Sequence, residues 1–205
     1  MNLAFFPFLP VIYRNRRWLL ISILIFILGF FSLYFLQEPL GEEQMMGLDE
    51  EAMGFFEEIA EFITQTHPTV GALLIFINNL ISSLQMLFLG VILGLSPLFT
   101  LLLNGGILGL LSTQVIDQGM SVWFLVVGIL PHGIPELAAF FLCAAMGLKL
   151  GFHTVVSPLP GKTRKESFKY IWKEIISILP VVIVLLFVAA FIEIFLTQYL
   201  MHIFF

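Results

Sequence analysis

SVWFLVVGILPHGIPELAAFFLCAAMGLKLG, residues 121–151, is the stretch whose reading decides how this chain folds. It is apolar and long enough to cross a bilayer, whose hydrocarbon core takes about 20 helical residues. Inside it lie an imidazole, His132, and a carboxyl, Glu136, where hydrocarbon is expected. A charged side chain near the bilayer centre costs about 2.5–3.5 kcal/mol on insertion scales, so such residues mark a buried polar site. Pro131 and Pro135 each remove a helical amide donor. With Gly133 they predict a broken helix, whose freed carbonyls need protein or trapped water. The functional centre of the chain is expected here.

Composition extends that reading outward. Of 205 residues, 60% are hydrophobic and 11% charged, and the mean hydropathy is +1.04. Those values exclude a water-soluble domain and indicate an all-α, polytopic membrane protein. The single cysteine, Cys143, lies in an apolar run, which excludes disulfides and thiolate metal sites and marks a buried structural thiol. All nine Lys and Arg fall in two places: Arg14, Arg16 and Arg17 before the first span, and Lys149 to Lys173 around one later loop. Nine of the 14 acids lie between Glu38 and Glu61, a stretch without Lys or Arg. The positive-inside rule then puts the N-terminus and the 152–176 loop in the cytoplasm and the acidic loop outside. Nucleic acid is not expected as a partner, because the basic patch is small and only its charge would argue for it.

About five transmembrane segments follow, with the N-terminus inside and the C-terminus outside. Residues 1–36 form a cytoplasmic N-terminus and an uncleaved anchor helix from Trp18 to Leu36. Residues 37–67 form the acidic extracytoplasmic loop, in which Asp49 to Thr66 has the spacing of an amphipathic surface helix. Residues 68–151 form a core of three packed spans. Pro68 opens the first of these and Pro97 the second, and a polar turn from Asp117 to Ser121 leads into the broken third. A basic loop and helix over 152–176 precede the final span, 177–205. Lys165, Lys169 and Lys173 recur every four residues there, on a face expected to meet solvent or headgroups.

Within the spans, Gly90 and Gly94, Gly105 and Gly109, and Gly147 and Gly151 are small-x3-small pairs that let helix backbones approach closely. They predict tight packing of the core and leave a homodimer face open. Asn78, Asn79 and Gln85 lie on the second span, and Asn104 precedes a doubled glycine in the third. His132 and Glu136 share a face if the helix persists between them, and Glu193 is the one ionisable group inside the fifth span. Counting about 1.5 Å per residue from the expected ends, these groups could form a polar file across the membrane. They are the candidate binding or transport residues.

The chain resembles the SpoIIM family, integral membrane proteins named for stage II sporulation protein M. The resemblance covers Phe76 to Gly151 and resumes near Ala189. It is carried by Asn78-Asn79, Gly90 and Gly94, Asn104-Gly105, Pro131-His132-Gly133-x-x-Glu136-Leu137-Ala138 and Ala189-Ala190-x-x-Glu193-x-x-x-Thr197. It implies a multi-pass protein of the prokaryotic cytoplasmic membrane. In spore formers the namesake belongs to the engulfment machinery and anchors peptidoglycan-degrading partners, but the family extends well beyond them.

Three functions compete. The first is a non-enzymatic membrane scaffold, in which the polar groups hold the bundle together and the outer acidic helix or inner basic loop recruits membrane or envelope proteins. The alternative is a small-solute or ion transporter or channel, with proton coupling through His132 and Glu136. An intramembrane metalloenzyme ranks below both. His132, Glu136 and Glu193 could hold a divalent ion, but there is one candidate His and neither an H-E-x-x-H motif nor a Ser–His pairing. No catalytic residue, metal or cofactor is therefore expected.

Overall fold

The computed structural model describes residues 8–36 and 67–204, and every regular element among them is helical. The expected surface helix over Asp49 to Thr66 lies outside the described residues. The elements are α1 (Leu9–Arg14), α2 (Arg16–Leu36), α3 (Pro68–Leu89), α4 (Leu95–Asp117), α5 (Val122–Gly151), α6 (Arg164–Phe191) and α7 (Gln198–Phe204). A wide π-helical turn, Phe152–Val156, continues α5, and another, Ile192–Thr197, joins α6 to α7. Among the described residues, five helices are long and apolar enough to cross a membrane: Arg16–Phe35, Pro68–Leu89, Leu95–Asp117, Val122–Val156 and Arg164–Phe204.

Local sequence explains the boundaries. Pro68 opens α3, where its missing N–H is no loss, and the His67 side chain caps the turn by accepting from the Thr69 amide. Ser121 caps α5 the same way through Trp123. Thr163 and Glu166 cap each other's backbone amides at the start of α6, a complete capping box. Between α3 and α4 the chain reverses through Leu93 and Gly94, both left-handed, at φ 55° and 71°. Glycine accepts that conformation freely, whereas for Leu93 it costs roughly 1–2 kcal/mol.

α5 is the centre of the bundle and packs against α2, α3, α4 and α6. Its second half, Ala139 to Gly151, is buried almost throughout, and Cys143 is fully enclosed. Buried Ile171, Ile175, Ile178, Val182 and Leu186 of α6 complete this core, while α2 turns Leu20, Leu24, Leu28 and Phe31 outward as a lipid-facing stripe would. A Cβ added to Gly147 or Gly151 would collide with backbone of Met86, Gly90 or Gly94, so the α3–α4 reversal lies directly on α5.

The first span packs closely on the core: α2 and α4 form the most extensive helix pair among the described residues. A Cβ on Gly29 would strike the Leu102 carbonyl, one on Gly105 the Phe26 carbonyl, and one on Gly109 the Phe30 carbonyl. At such separations dispersion and Cα–H···O contacts act between backbones. One expectation, the break in the fourth span, is revised. α5 runs without interruption from Val122 to Gly151, through Pro131 and Pro135. A proline removes one donor and crowds the carbonyl four residues earlier, a local penalty of about 3 kcal/mol in an isolated helix. Neighbouring helices on several sides of α5 hold the path despite it.

Candidate functional site

The continuity of α5 puts His132 and Glu136 one turn apart on one face. That face meets the π-helical turn Ile192–Thr197, whose i→i+5 bonding widens the helix and presents Glu193 and Thr197. One ring nitrogen of His132 and one carboxylate oxygen each of Glu136 and Glu193 all lie within 4.8 Å of one another. His132 Nδ1 is 3.1 Å from Thr197 Oγ1. In the tautomer that donates Nδ1–H to this hydroxyl, Nε2 keeps a free lone pair.

On its other side the pair opens into a cavity of about 150 Å³, lined by Phe26 from α2, Asn104 and Leu108 from α4, and His132, Gly133 and Glu136 from α5, among others. That volume admits several water molecules. Asn104 donates to the Thr100 carbonyl. Among the described residues, no hydrogen bond and no cation engages the carboxyl of Glu136 or Glu193. Two partly buried carboxyls stand side by side, with the His132 ring next to both.

A second polar cluster, which sequence reasoning missed, behaves differently. Lys149 and Glu174 are each about 4% exposed and form an ion pair. Lys149 Nζ also donates to Asn15 Oδ1 at 2.7 Å, Arg14 Nε donates to Glu174 Oε1 at 2.6 Å, and Asn15 Nδ2 donates to the Val11 carbonyl at 2.8 Å. The Tyr170 ring lies 5.7 Å from each of the Arg14 and Lys149 cations. This network ties the α1–α2 joint to α5 and α6 at the basic end of the bundle. The available signal was a lone Lys149 inside an apolar run, paired by no neighbour in sequence.

Of the other sequence candidates, Asn78 and Gln85 are exposed on α3 and Asn79 is half-buried; none of the three lines the cavity. Thr197 stood in the last-span motif without an assigned role, and its place one helical turn beyond Glu193 was the signal for it.

The family model described as SpoIIM, Stage II sporulation protein M, matches residues 22–198. The match takes in His132, Glu136, Glu193 and Thr197, and it extends back into the first span, well before Phe76. An uncharacterized protein of Methanocaldococcus jannaschii is 30% identical over 120 residues, covering 58% of this chain and 67% of that protein. No solved structure matches the chain.

Proposed function

The chain belongs to the SpoIIM family of multi-helix membrane proteins, and we propose that it moves a small cation through the site formed by His132, Glu136 and Glu193. The observation that carries this reading is the contrast between its two polar clusters. Lys149, Glu174, Arg14 and Asn15 satisfy one another, as groups that hold helices together do. The central carboxyls do not: Glu136 borders a cavity, Glu193 stands beside it, and neither accepts a hydrogen bond from the described residues. Structural glue that leaves its own acceptors unpaired would be costly, whereas a ligand site keeps them free. Carriers build such sites near mid-depth from helices with irregular turns, and the π-helical turn at Glu193 is one.

In this reading the protein is non-enzymatic and lies in a prokaryotic cytoplasmic membrane with its basic end inside. A scaffold remains the second reading, favoured by the exposed Lys165, Lys169 and Lys173 beside a rigid ion-pair network. The test is flux through purified protein in sealed liposomes, screened across protons, monovalent and divalent cations under an imposed gradient. Wild type is expected to conduct at least one of them, with Glu136→Gln or Glu193→Gln lowering the rate at least tenfold. Silence across the panel from correctly inserted protein would move the reading to the scaffold.

A further inference from the structure

The geometry points to a binding site for one divalent transition-metal ion, of the zinc or manganese class, held by a ring nitrogen of His132 and the carboxylates of Glu136 and Glu193. The assignment shares with the proposed function the view that this cluster takes a ligand, but it does not depend on transport. Three arguments carry it.

The first is distance. Zinc bonds to imidazole nitrogen and carboxylate oxygen are about 2.0–2.2 Å, so at tetrahedral angles the ligand atoms lie about 3.3–3.6 Å apart. The three ligand atoms fall within 4.8 Å of one another, and rotation of the two glutamate side chains would have to close the remaining ångström or so. The second is orientation. Metal-bound imidazoles almost always use their other nitrogen in a hydrogen bond that fixes tautomer and ring plane. Thr197 Oγ1, 3.1 Å from His132 Nδ1, is placed for that role, and the cavity beside Glu136 leaves room for water to complete the coordination.

The third is charge. Two carboxylates balance a divalent cation, and the resulting neutral complex suits a low-dielectric interior, where an unbalanced ion is expensive. No Asp, Glu, Lys, Arg or His faces the cluster from α2 between Trp18 and Leu36, from α3, or from α4 between Leu95 and Ile116. Of the other charged or imidazole groups on α5, α6 and α7, Lys149 and Glu174 pair with each other, Arg164, Lys165, Glu166, Lys169 and Lys173 are exposed on the first half of α6, and His202 is exposed beyond Thr197. Among the described residues, His132, Glu136 and Glu193 therefore settle their own charge, with one divalent ion or with up to two protons. A mixed nitrogen and oxygen set favours zinc, manganese or ferrous iron over magnesium or calcium.

The experiment is isothermal titration of the chelator-stripped full chain in nanodiscs with Zn2+, Mn2+, Mg2+ and Ca2+, with proton release recorded in parallel. One Zn2+ or Mn2+ per chain is expected, displacing protons as it binds. Glu136→Gln and Glu193→Gln should each weaken binding at least 100-fold, and Thr197→Val about tenfold. His202→Gln should change nothing. His132→Cys supplies an independent measurement: a thiolate in the set should move preference from Mn2+ towards Cd2+. Folded wild type that binds no Zn2+ or Mn2+, or binding that survives both glutamine variants, would overturn the assignment. Metal binding without flux would keep this site and remove the transport reading. Proton or monovalent flux without metal binding would do the reverse.

Discussion

Glu174→Gln is expected to destabilise the folded protein by about 3–5 kcal/mol, the cost of leaving a buried charge without its partner. Lys149 would lose the carboxylate that balances it while remaining enclosed between α5 and α6, with only the neutral amide oxygens of Asn15 and of the introduced glutamine left to accept from it. Arg14 is half exposed and can turn to water, so the loss falls on Lys149. Replacing both members of the pair with apolar residues, Lys149→Met with Glu174→Leu, should recover most of the stability, because no charge then remains buried. Unfolding curves of the purified protein in one detergent, for the single and the double variant, measure this. A single variant within 1 kcal/mol of wild type would mean that the network is wet and does not lock the basic end.

The central carboxyls should behave with the opposite sign. Glu136→Gln or Glu193→Gln is expected to leave the metal-free protein as stable as wild type or more so, by up to about 1 kcal/mol, because each removes an uncompensated carboxyl and adds amide donors. Function would be lost without any loss of fold, the trade expected where a site is kept at the expense of stability. Thermal melts of stripped protein decide it. A loss of 2 kcal/mol or more would mean that the carboxyls hold the bundle together, as a scaffold requires.

These contrasting roles were only partly legible in the sequence. The spans were readable because hydropathy, Pro68 and the polar turn before Ser121 are local signals. The family was readable because several motifs recur in order along the chain. The identity of the ionisable residues within the long apolar helices was legible too, since an apolar background makes His132, Glu136 and Glu193 stand out.

What could not be read is what other helices do. The proline pair announces a break, yet the outcome depends on how firmly neighbours hold α5. Gly29 gave no packing signal, because Ile25 and Leu33 occupy the positions four residues away where a small partner would stand; its fit to Leu102 exists only once α2 and α4 are docked. Lys149 counted as one more cation near a basic loop. Its pairing with Glu174, 25 residues later, follows from the packing of α6 on α5. Thr197 likewise acquires its role only when the π-helical turn brings it to His132.

The central claim is that His132, Glu136 and Glu193 form a ligand site and not structural glue. The most direct measurement is anomalous diffraction from crystals of the full chain equilibrated with Zn2+ or Mn2+ near neutral pH. The expected result is a peak bonded to one His132 nitrogen and to oxygens of Glu136 and Glu193, at about 2.0–2.2 Å from each. No peak there at saturating metal, with the two carboxyls instead hydrogen-bonded to each other or to His132, would contradict it.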